Sequence, residues 1–238
     1  MISFIIPAFN EERLLGETLG AVHAAARTID EAYEVVVADD ASTDRTAAVA
    51  EQCGARVVKV SHRQIAATRN SGARAAQGEF LIFVDADTLV NELVVRKALR
   101  VLRGGAAGGG SGVRFDDPVP LYARILLPLC LQFYRAARLA PGCFLFCSRR
   151  AFEAAGGFNE GLFGAEELAM SQALKRQGRF VVLREAVTTS GRKLRAYSGW
   201  ELLSVLCRIG LGGWKSVRDR SRLEIWYGVR RDDPKSAG

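Results

Sequence analysis

The sequence lacks any apolar run long enough to cross a bilayer. Its longest charge-free stretches near the middle, Ile125 to Tyr134 and Leu139 to Ser148, span ten residues each, whereas a transmembrane helix needs about 20. No basic segment precedes the apolar start of the chain, Met1 to Pro7, which makes a poor secretory signal. We therefore expect a cytoplasmic protein with neither a transmembrane helix nor a signal peptide.

Cysteine and histidine are scarce, which argues against disulfide and zinc scaffolds. The five cysteines are odd in number, lie mostly in apolar surroundings and form no paired Cys-x-x-Cys pattern. We expect buried thiols in a reducing cytoplasm. His62 has no partner histidines at ligand spacing, so a polar loop residue is the preferred interpretation.

The composition is that of a folded globular protein with an uneven charge distribution. The 238 residues are 49% apolar and 25% charged, and the net charge is +7. Residues 192–238 carry eleven Lys and Arg against five Asp and Glu, which is +6 of that total. A basic segment of this kind fits nucleic acid, an anionic membrane, an anionic substrate or simple solubility.

The first half alternates short β-rich runs with amphipathic stretches, the pattern of βαβ units in a parallel sheet. Helices are expected from Leu15 to Ile29, from a cap at Ser42 or Thr43 to Ala50, and from about Ile65 to Ala76. The second half predicts a glycine-rich bend or hinge at Gly104 to Gly112 and an apolar, partly helical segment through Ala137. Strands are expected at residues 3–7, 34–38, 56–60, 80–84, 113–115, 142–147 and 179–183, and a further helix at 166–177.

Two acidic clusters are expected at one edge of this sheet, because ligands bind outside the carboxyl ends of parallel strands. Asp85 and Asp87 follow one strand and, in extended geometry, would face the same way toward one hard cation. Asp39 and Asp40 follow another and would accept the imide N–H of uracil. The alternatives are a solvated turn for the first pair and a helix cap for the second.

Four ordered segments resemble the signature of family 2 glycosyltransferases. They are Ile5 to Glu12, Val36 to Asp44, Ala67 to Gly72 and Phe83 to Asp87, and the likeness continues through Pro141 to Glu160 and Glu166 to Gly178. The resemblance implies the GT-A fold, in which a Rossmann-like nucleotide-binding half is fused to an acceptor half. We divide the single domain into residues 1–103, an acceptor half at 104–190 and a basic amphipathic extension at 191–238.

The resemblance also implies roles for individual residues on the donor side. Pro7 and Ala8 would shape the nucleotide pocket, Glu12 would approach the nucleoside, and Asp40, ahead of Asp39, would read the base. Arg69 would sit near the base or phosphate. Asp85, Ala86 and Asp87 form the family's Asp-x-Asp, in which Asp87 would bind Mg2+ or Mn2+ directly and Asp85 would lie near the ribose or the metal.

On the acceptor side, the family's catalytic base is the Asp of a Glu-Asp pair just ahead of a helix, and this chain has Glu166 and Glu167 there. The resemblance therefore implies Glu167 as the base, one methylene longer than usual. Glu166 and Gly142 are expected beside the acceptor. No histidine follows His62, so Arg192 or Lys193, in a segment that is equally consistent with a plain turn, would contact the diphosphate. The absence of a Gln-x-x-Arg-Trp motif argues against a processive polysaccharide synthase.

The sequence thus predicts a metal-dependent, inverting transferase that moves a sugar from a nucleoside-diphosphate sugar, UDP favoured, to an acceptor hydroxyl on a glycan or lipid-linked molecule. The alternatives are a sugar-nucleotide nucleotidyltransferase and a noncatalytic nucleotide- or membrane-binding protein. Apolar and aromatic residues between Tyr197 and Val217 are consistent with a helix on an anionic membrane or with one packed on the core. No nucleic-acid partner is expected.

Overall fold

The computed structural model describes residues 1–116, 118–201, 204, 217–220 and 223. Within these residues, eight strands form one mixed sheet: β1 Ile2–Ala8, β2 Tyr33–Asp40, β3 Arg56–Val60, β4 Phe80–Val84, β5 Thr88–Leu89, β6 Gly108–Phe115, β7 Phe144–Ser148 and β8 Phe180–Thr189. The helices assigned in these residues are α1 Leu15–Arg27, α2 Thr46–Gln52, α3 Ile65–Ala75, α4 Glu92–Arg103, α5 Leu121–Ala136, α6 Arg149–Ala154, α7 Glu166–Gln177 and α8 Arg192–Ala196.

The sheet has the strand order β3-β2-β1-β4-β7-β6-β8-β5. The first four strands are parallel, as predicted, so their carboxyl ends share one edge. Pro7 has no N–H to donate, and the pairing of β1 with β4 ends earlier, at Ile5 opposite Phe83. Pro7 instead lies opposite Ala38 on β2, and the end of β1 is left facing the loop after β4.

Apolar side chains cover both faces of the sheet. On one face, α1 and α4 contribute Leu15, Leu19, Val94 and Leu99 to a cluster with the β1 residue Phe4. On the other, buried residues of α3, α6 and α7 pack against Ile5 and Phe83; they are Ala66, Ala73, Phe152, Met170 and Leu174. The helices therefore hold the sheet from both sides and leave its edge open for a site.

The prediction of a flexible glycine-rich bend at Gly104 to Gly112 is wrong over most of its length. Gly108 to Phe115 form β6, which pairs with β7 and β8 inside the sheet. A Cβ atom on Gly109 would lie only 2.0 Å from the Val181 carbonyl oxygen, and one on Gly110 would lie 2.4 Å from the Ala140 Cβ. The glycines are there because neighbouring backbone and rings occupy the space of a side chain.

Smaller differences also come from tertiary contacts. The residue before α2 is Arg45, so Ser42 and Thr43 do not cap that helix as expected. Cys143 and Cys147 are buried as predicted, Cys53 is half-buried, and Cys130 is exposed on α5. Cys207 and most of the segment predicted to be a membrane helix, from Tyr197 to Val217, lie outside the described residues.

Among the helices of the described residues, none combines the length and the hydropathy that a membrane span needs.

The close packing of β6 leads to a stability prediction. Gly109→Ala should lower the free energy of unfolding by about 1–3 kcal/mol, since the new methyl group meets a fixed carbonyl oxygen and the Phe146 ring. Chemical denaturation monitored by circular dichroism measures this change. Gly20→Ala is the matched control: it lies in α1 with nothing within 4 Å of the added Cβ, and it should stabilise by about 0.5–1 kcal/mol. Equal stabilities of the two variants would contradict the steric account of β6.

Candidate active site

The loops that follow β1 and β2 are tied together at the open edge of the sheet. The Asn10 backbone N–H donates to Ser42 Oγ (2.9 Å), and the Thr43 N–H donates to Asn10 Oδ1 (2.8 Å). Glu12 is exposed, and its carboxylate accepts the Arg45 N–H at 3.0 Å. The structure therefore places Glu12 at the start of α2, where it joins two loops.

Asp39 and Asp40 end β2 and are both buried. Asp40 accepts from the backbone N–H groups of His62, Arg63 and Gln64 at 2.6, 2.8 and 3.0 Å, and from the Thr68 hydroxyl at 2.8 Å. Four donors saturate this carboxylate and fix the loop that leads into α3. From the described part of the chain, the Asp39 carboxylate accepts one bond, of 3.3 Å, from the Ser42 N–H. Asp39 lies opposite Ala8 on β1 and retains more capacity for a ligand than Asp40.

Asp85 and Asp87 emerge from the end of β4 in a turn, not in the extended geometry that was expected. Their carboxylates consequently contact different cations. Asp85 Oδ1 accepts from Arg69 Nη2 at 2.7 Å, and Asp87 Oδ2 lies 3.1 Å from Arg192 Nη2. Ala86, between them, is buried, and its carbonyl accepts from the Thr18 hydroxyl at 2.9 Å, which anchors the turn to α1.

Arg69 lies in α3 and is almost completely buried, away from the exposed position that a phosphate ligand would need. Its Nη1 donates to Glu166 Oε1 at 2.8 Å, and its Nη2 donates to Asp85 and to the Gly142 carbonyl at 2.7 and 3.0 Å. The Phe158 ring lies 5.3 Å from the guanidinium. Arg69 therefore connects the Asp-x-Asp turn to the first residue of α7.

Glu167 follows Glu166 at the start of α7, but its carboxylate does not form the ion pair with Arg69 that Glu166 forms. It is partly exposed and packs on Gly142, where an added Cβ would lie 3.5 Å from the Glu167 carboxyl carbon. Its carboxylate accepts a hydrogen bond from its own backbone N–H, and no other side chain among the described residues forms a hydrogen bond or ion pair with it. Burial, followed by the charge of Glu166, raises the pKa of Glu167 to about 8. A carboxylate with a raised pKa that is not held by another side chain is suited to take up a proton.

A second arginine closes the other side of the Asp-x-Asp turn. Arg192, at the start of α8, donates to both oxygens of the buried Glu11 at 2.8 and 2.5 Å and also reaches Asp87. Sequence reasoning chose Glu12 and missed Glu11, although both belong to the same motif. Only the position of α8, which follows β8, identifies Glu11 as the member that faces the cluster.

The Asp-x-Asp turn has the charge pattern of a divalent-cation site. Burial raises the pKa of Asp87 to about 6, the negative charges of Asp85 and Glu11 add to this rise, and Arg192 and Lys193 oppose it. Such a group of carboxylates is stabilised by added positive charge, and oxygen ligands suit Mg2+ or Mn2+. Within residues 1–116, 118–201 and the short later segments, no cluster of three or more acidic, His or Cys side chains could hold a metal alone. The two aspartates thus fit a cation whose remaining ligands come from a substrate or water.

Known proteins resemble this chain in sequence and in fold. Undecaprenyl-phosphate 4-deoxy-4-formamido-L-arabinose transferase of Pseudomonas fluorescens is 32% identical over 161 residues, which are 63% of this chain and 47% of that protein. The chain spans less than half the length of the curated relatives it matches.

Two solved structures share the fold at low sequence identity. S. aureus TarS 1-349 in complex with UDP-GlcNAc has a TM-score of 0.63 and 20% identity, over 94% of this chain and 70% of that one. A mannosyltransferase from Pyrobaculum calidifontis in complex with GDP-Man and Mn2+ has a TM-score of 0.67 and 18% identity, over 98% and 66%. These similarities confirm the predicted GT-A arrangement of an α/β sheet flanked by helices.

The family model for glycosyl transferase family 2 matches residues 3–153, which are more than half of the chain and include the loops after β1, β2 and β4. The chain therefore belongs to glycosyl transferase family 2.

Proposed function

We propose that this protein is an inverting, non-processive glycosyltransferase that moves a sugar from a nucleoside-diphosphate sugar to an acceptor hydroxyl. The observation that carries the proposal is the placement of the Glu167 carboxylate, to which no other described side chain is bonded, one residue from Glu166, which Arg69 connects to the Asp-x-Asp turn. One buried guanidinium thus joins a candidate base to a candidate donor site, within a family 2 chain.

The donor binds along the edge formed by the loops after β1, β2 and β4. Pro7 and Ala8 line it, and Asp39 reads the base in preference to Asp40, whose oxygens are already used. A uracil imide suits this carboxylate, and a fold neighbour is a complex with UDP-GlcNAc, so UDP is the favoured nucleotide. Arg192 and Lys193 turn from the carboxylates toward the diphosphate when it is present.

Asp87, with Asp85 beside it, would hold Mg2+ or Mn2+. A bound cation supplies charge neutralisation for the departing diphosphate. Support comes from the charge pattern of the turn and from the fold neighbour that contains Mn2+. The protein's own cation, Arg192, lies 3.1 Å from Asp87, and this pairing supports the assignment of a positive ligand at this point.

Transfer is a single displacement at the anomeric carbon. The acceptor oxygen forms the new bond to that carbon, the bond to the diphosphate oxygen breaks, and the acceptor proton passes to Glu167. Gly142 borders Glu167, since a Cβ there would lie 3.5 Å from the Glu167 carboxyl carbon, in ordinary van der Waals contact. Glu166 is a positioning residue, because its carboxylate is used by Arg69.

The acceptor is proposed to be a lipid-linked or glycan hydroxyl, reached at the surface of an anionic membrane to which the protein binds peripherally from the cytoplasm. The similarity to an undecaprenyl-phosphate sugar transferase and the basic balance of residues 192–238 support this assignment.

The donor reaction provides the direct test. A panel of UDP- and GDP-sugars with Mn2+ should yield the free nucleoside diphosphate, measured by chromatography, and EDTA or Asp87→Asn should lower its release about 100-fold or more. Asp30→Asn, at an exposed site in the turn after α1, is the matched control and should leave release unchanged. Formation of nucleoside triphosphate and sugar 1-phosphate when pyrophosphate is added would indicate nucleotidyl transfer instead, and binding without turnover would indicate a noncatalytic protein.

Adjacent glutamates allow the base to be identified. Glu167→Gln should reduce kcat about 100- to 10,000-fold with little change in donor affinity, because it removes the proton acceptor. The kcat/KM of the unmodified protein should rise with pH up to about 8, since Glu167 must lose its proton to act, and the remaining activity of Glu167→Gln should lack this rise. If Glu166→Gln abolished the rise and Glu167→Gln kept it, the assignment would be reversed.

Arg69 can be tested as a positioning residue. Arg69→Met should cost about 3–5 kcal/mol of stability, because it leaves two buried or partly buried carboxylates without their cation. Arg69→Lys keeps the charge but not the fork that contacts both acids; it should fold and lose kcat while the donor KM changes little. Arg74→Lys, exposed on the same helix, is the control for both thermal melting and kinetics. A raised donor KM with normal kcat in Arg69→Lys would place Arg69 at the nucleotide instead.

A further inference from the structure

The helix α5 exposes an apolar stripe that the core does not need. Leu121, Ile125, Leu129 and Phe133 recur every four residues and are 71, 61, 66 and 65% exposed, and Leu126 beside them is 49% exposed. Ala123 is the only buried residue of the helix. Large apolar side chains in a contiguous exposed patch mark an interaction surface, whereas scattered ones do not.

The charges on α5 have one sign. Arg124 and Arg135 are both exposed and stand about three helical turns apart, and α5 contains no acidic residue. Arg135 also donates to the Arg184 carbonyl of β8 at 3.2 Å. Arg138, just beyond the helix, is also exposed. A helix with an apolar face bordered by arginines has the composition of an interfacial membrane helix.

Both ends of α5 are fastened to the candidate active site. Near its start, the Tyr122 hydroxyl donates to the Leu194 carbonyl of α8 at 2.7 Å, two residues after Arg192. At its other end, the Ala140 N–H donates to Ser171 Oγ at 3.0 Å, and Lys175 Nζ donates to the Ala137 carbonyl at 2.5 Å. Ser171 and Lys175 belong to α7, which begins with the glutamate pair, so α5 links the diphosphate side of the site to the acceptor side.

We propose that the exposed stripe of α5, with Arg124 and Arg135, is the surface on which this protein docks to an anionic lipid bilayer. The inference rests on the proposed function, to which it adds the position of the membrane relative to Glu167. A bilayer surface provides both an apolar interior for Ile125 and Leu129 and negative headgroups for the arginines. An acceptor hydroxyl held at that surface then lies next to the base.

Charge argues against the two other occupants. Residues 192–238 of the same chain are themselves strongly basic, with eleven Lys and Arg against five Asp and Glu, and offer the arginines of α5 little neutralisation. A second copy meeting α5 through twofold symmetry would bring the same arginine-bordered face against itself. Neither supplies the negative charge that an anionic bilayer does.

Vesicle flotation of the full chain tests this proposal. At low salt, the unmodified protein should float with phosphatidylcholine vesicles that contain about 30 mol% anionic phosphatidylglycerol. It should float much less with vesicles of phosphatidylcholine alone. The double variant Ile125→Asp/Leu129→Asp should bind about tenfold more weakly or worse. Arg124→Gln/Arg135→Gln should lose most of the preference for the anionic vesicles.

The control is Leu93→Asp, because Leu93 is 55% exposed on α4 and lies outside the stripe. It should float as the unmodified protein does, and thermal melting should show that all variants are folded. If the α5 double variant floats normally, the proposal is overturned; if Trp214→Ser then abolishes flotation, the basic C-terminal segment makes the contact instead. Light scattering that shows a dimer of the unmodified protein, a monomer of the double variant and no flotation of either would assign the stripe to a second copy.

Nucleoside-diphosphate release from UDP-sugars, measured without vesicles, separates this proposal from the function on which it rests. Release without any flotation overturns the docking surface alone. Flotation that depends on α5, without release from any donor, overturns the proposed transferase activity and leaves the docking surface in place.

Discussion

The buried guanidinium of Arg69 is the interaction on which the arrangement of this site depends. Asp85, Glu166 and the Gly142 carbonyl come from three separate parts of the chain, and all accept hydrogen bonds from this one side chain. Removing an arginine from water is costly, and two carboxylates and a carbonyl must offset that cost together. The guanidinium therefore fixes the distance between the Asp-x-Asp turn and the start of α7, because a displaced partner would leave charge buried and unpaired.

Two arginines contact the Asp-x-Asp turn, Arg69 at Asp85 and Arg192 at Asp87. Arg69 is enclosed by α3, α7 and the turn, so its contacts hold the framework together. Arg192 lies on α8, which follows β8 in the chain, and it remains partly exposed while it contacts Glu11 and Asp87. The buried arginine is suited to a fixed structural role, whereas the partly exposed one is suited to exchange partners when a diphosphate enters. The two aspartates at the end of β2 differ in the same way. The oxygens of Asp40 are saturated by three backbone donors and the Thr68 hydroxyl, whereas Asp39 keeps capacity for a ligand.

The loop at Ala140 and Gly142 is positioned by a part of β6 that lacks side chains. Gly108, Gly109 and Gly110 let β6 approach β7 and β8 closely enough that the loop at Ala140 and Gly142 lies against α7. The loop and α5 form one continuous segment, so the packing of β6 also determines where the apolar stripe is presented.

Sequence alone determined the α/β class, the first four parallel strands, the carboxylate clusters at their ends, and α7 with its leading glutamates, because these depend on local periodicity and on the rule that parallel strands share a carboxyl edge. It could not determine which member of each acidic pair is used by the protein itself. Asp39 or Asp40, Glu11 or Glu12, and Glu166 or Glu167 are neighbours with the same chemistry, and their partners lie far away along the chain. The glycine run was misinterpreted for the same reason: flexibility is a local property of glycine, whereas the lack of space that makes β6 a strand exists only after β7, β8 and Phe146 have packed around it.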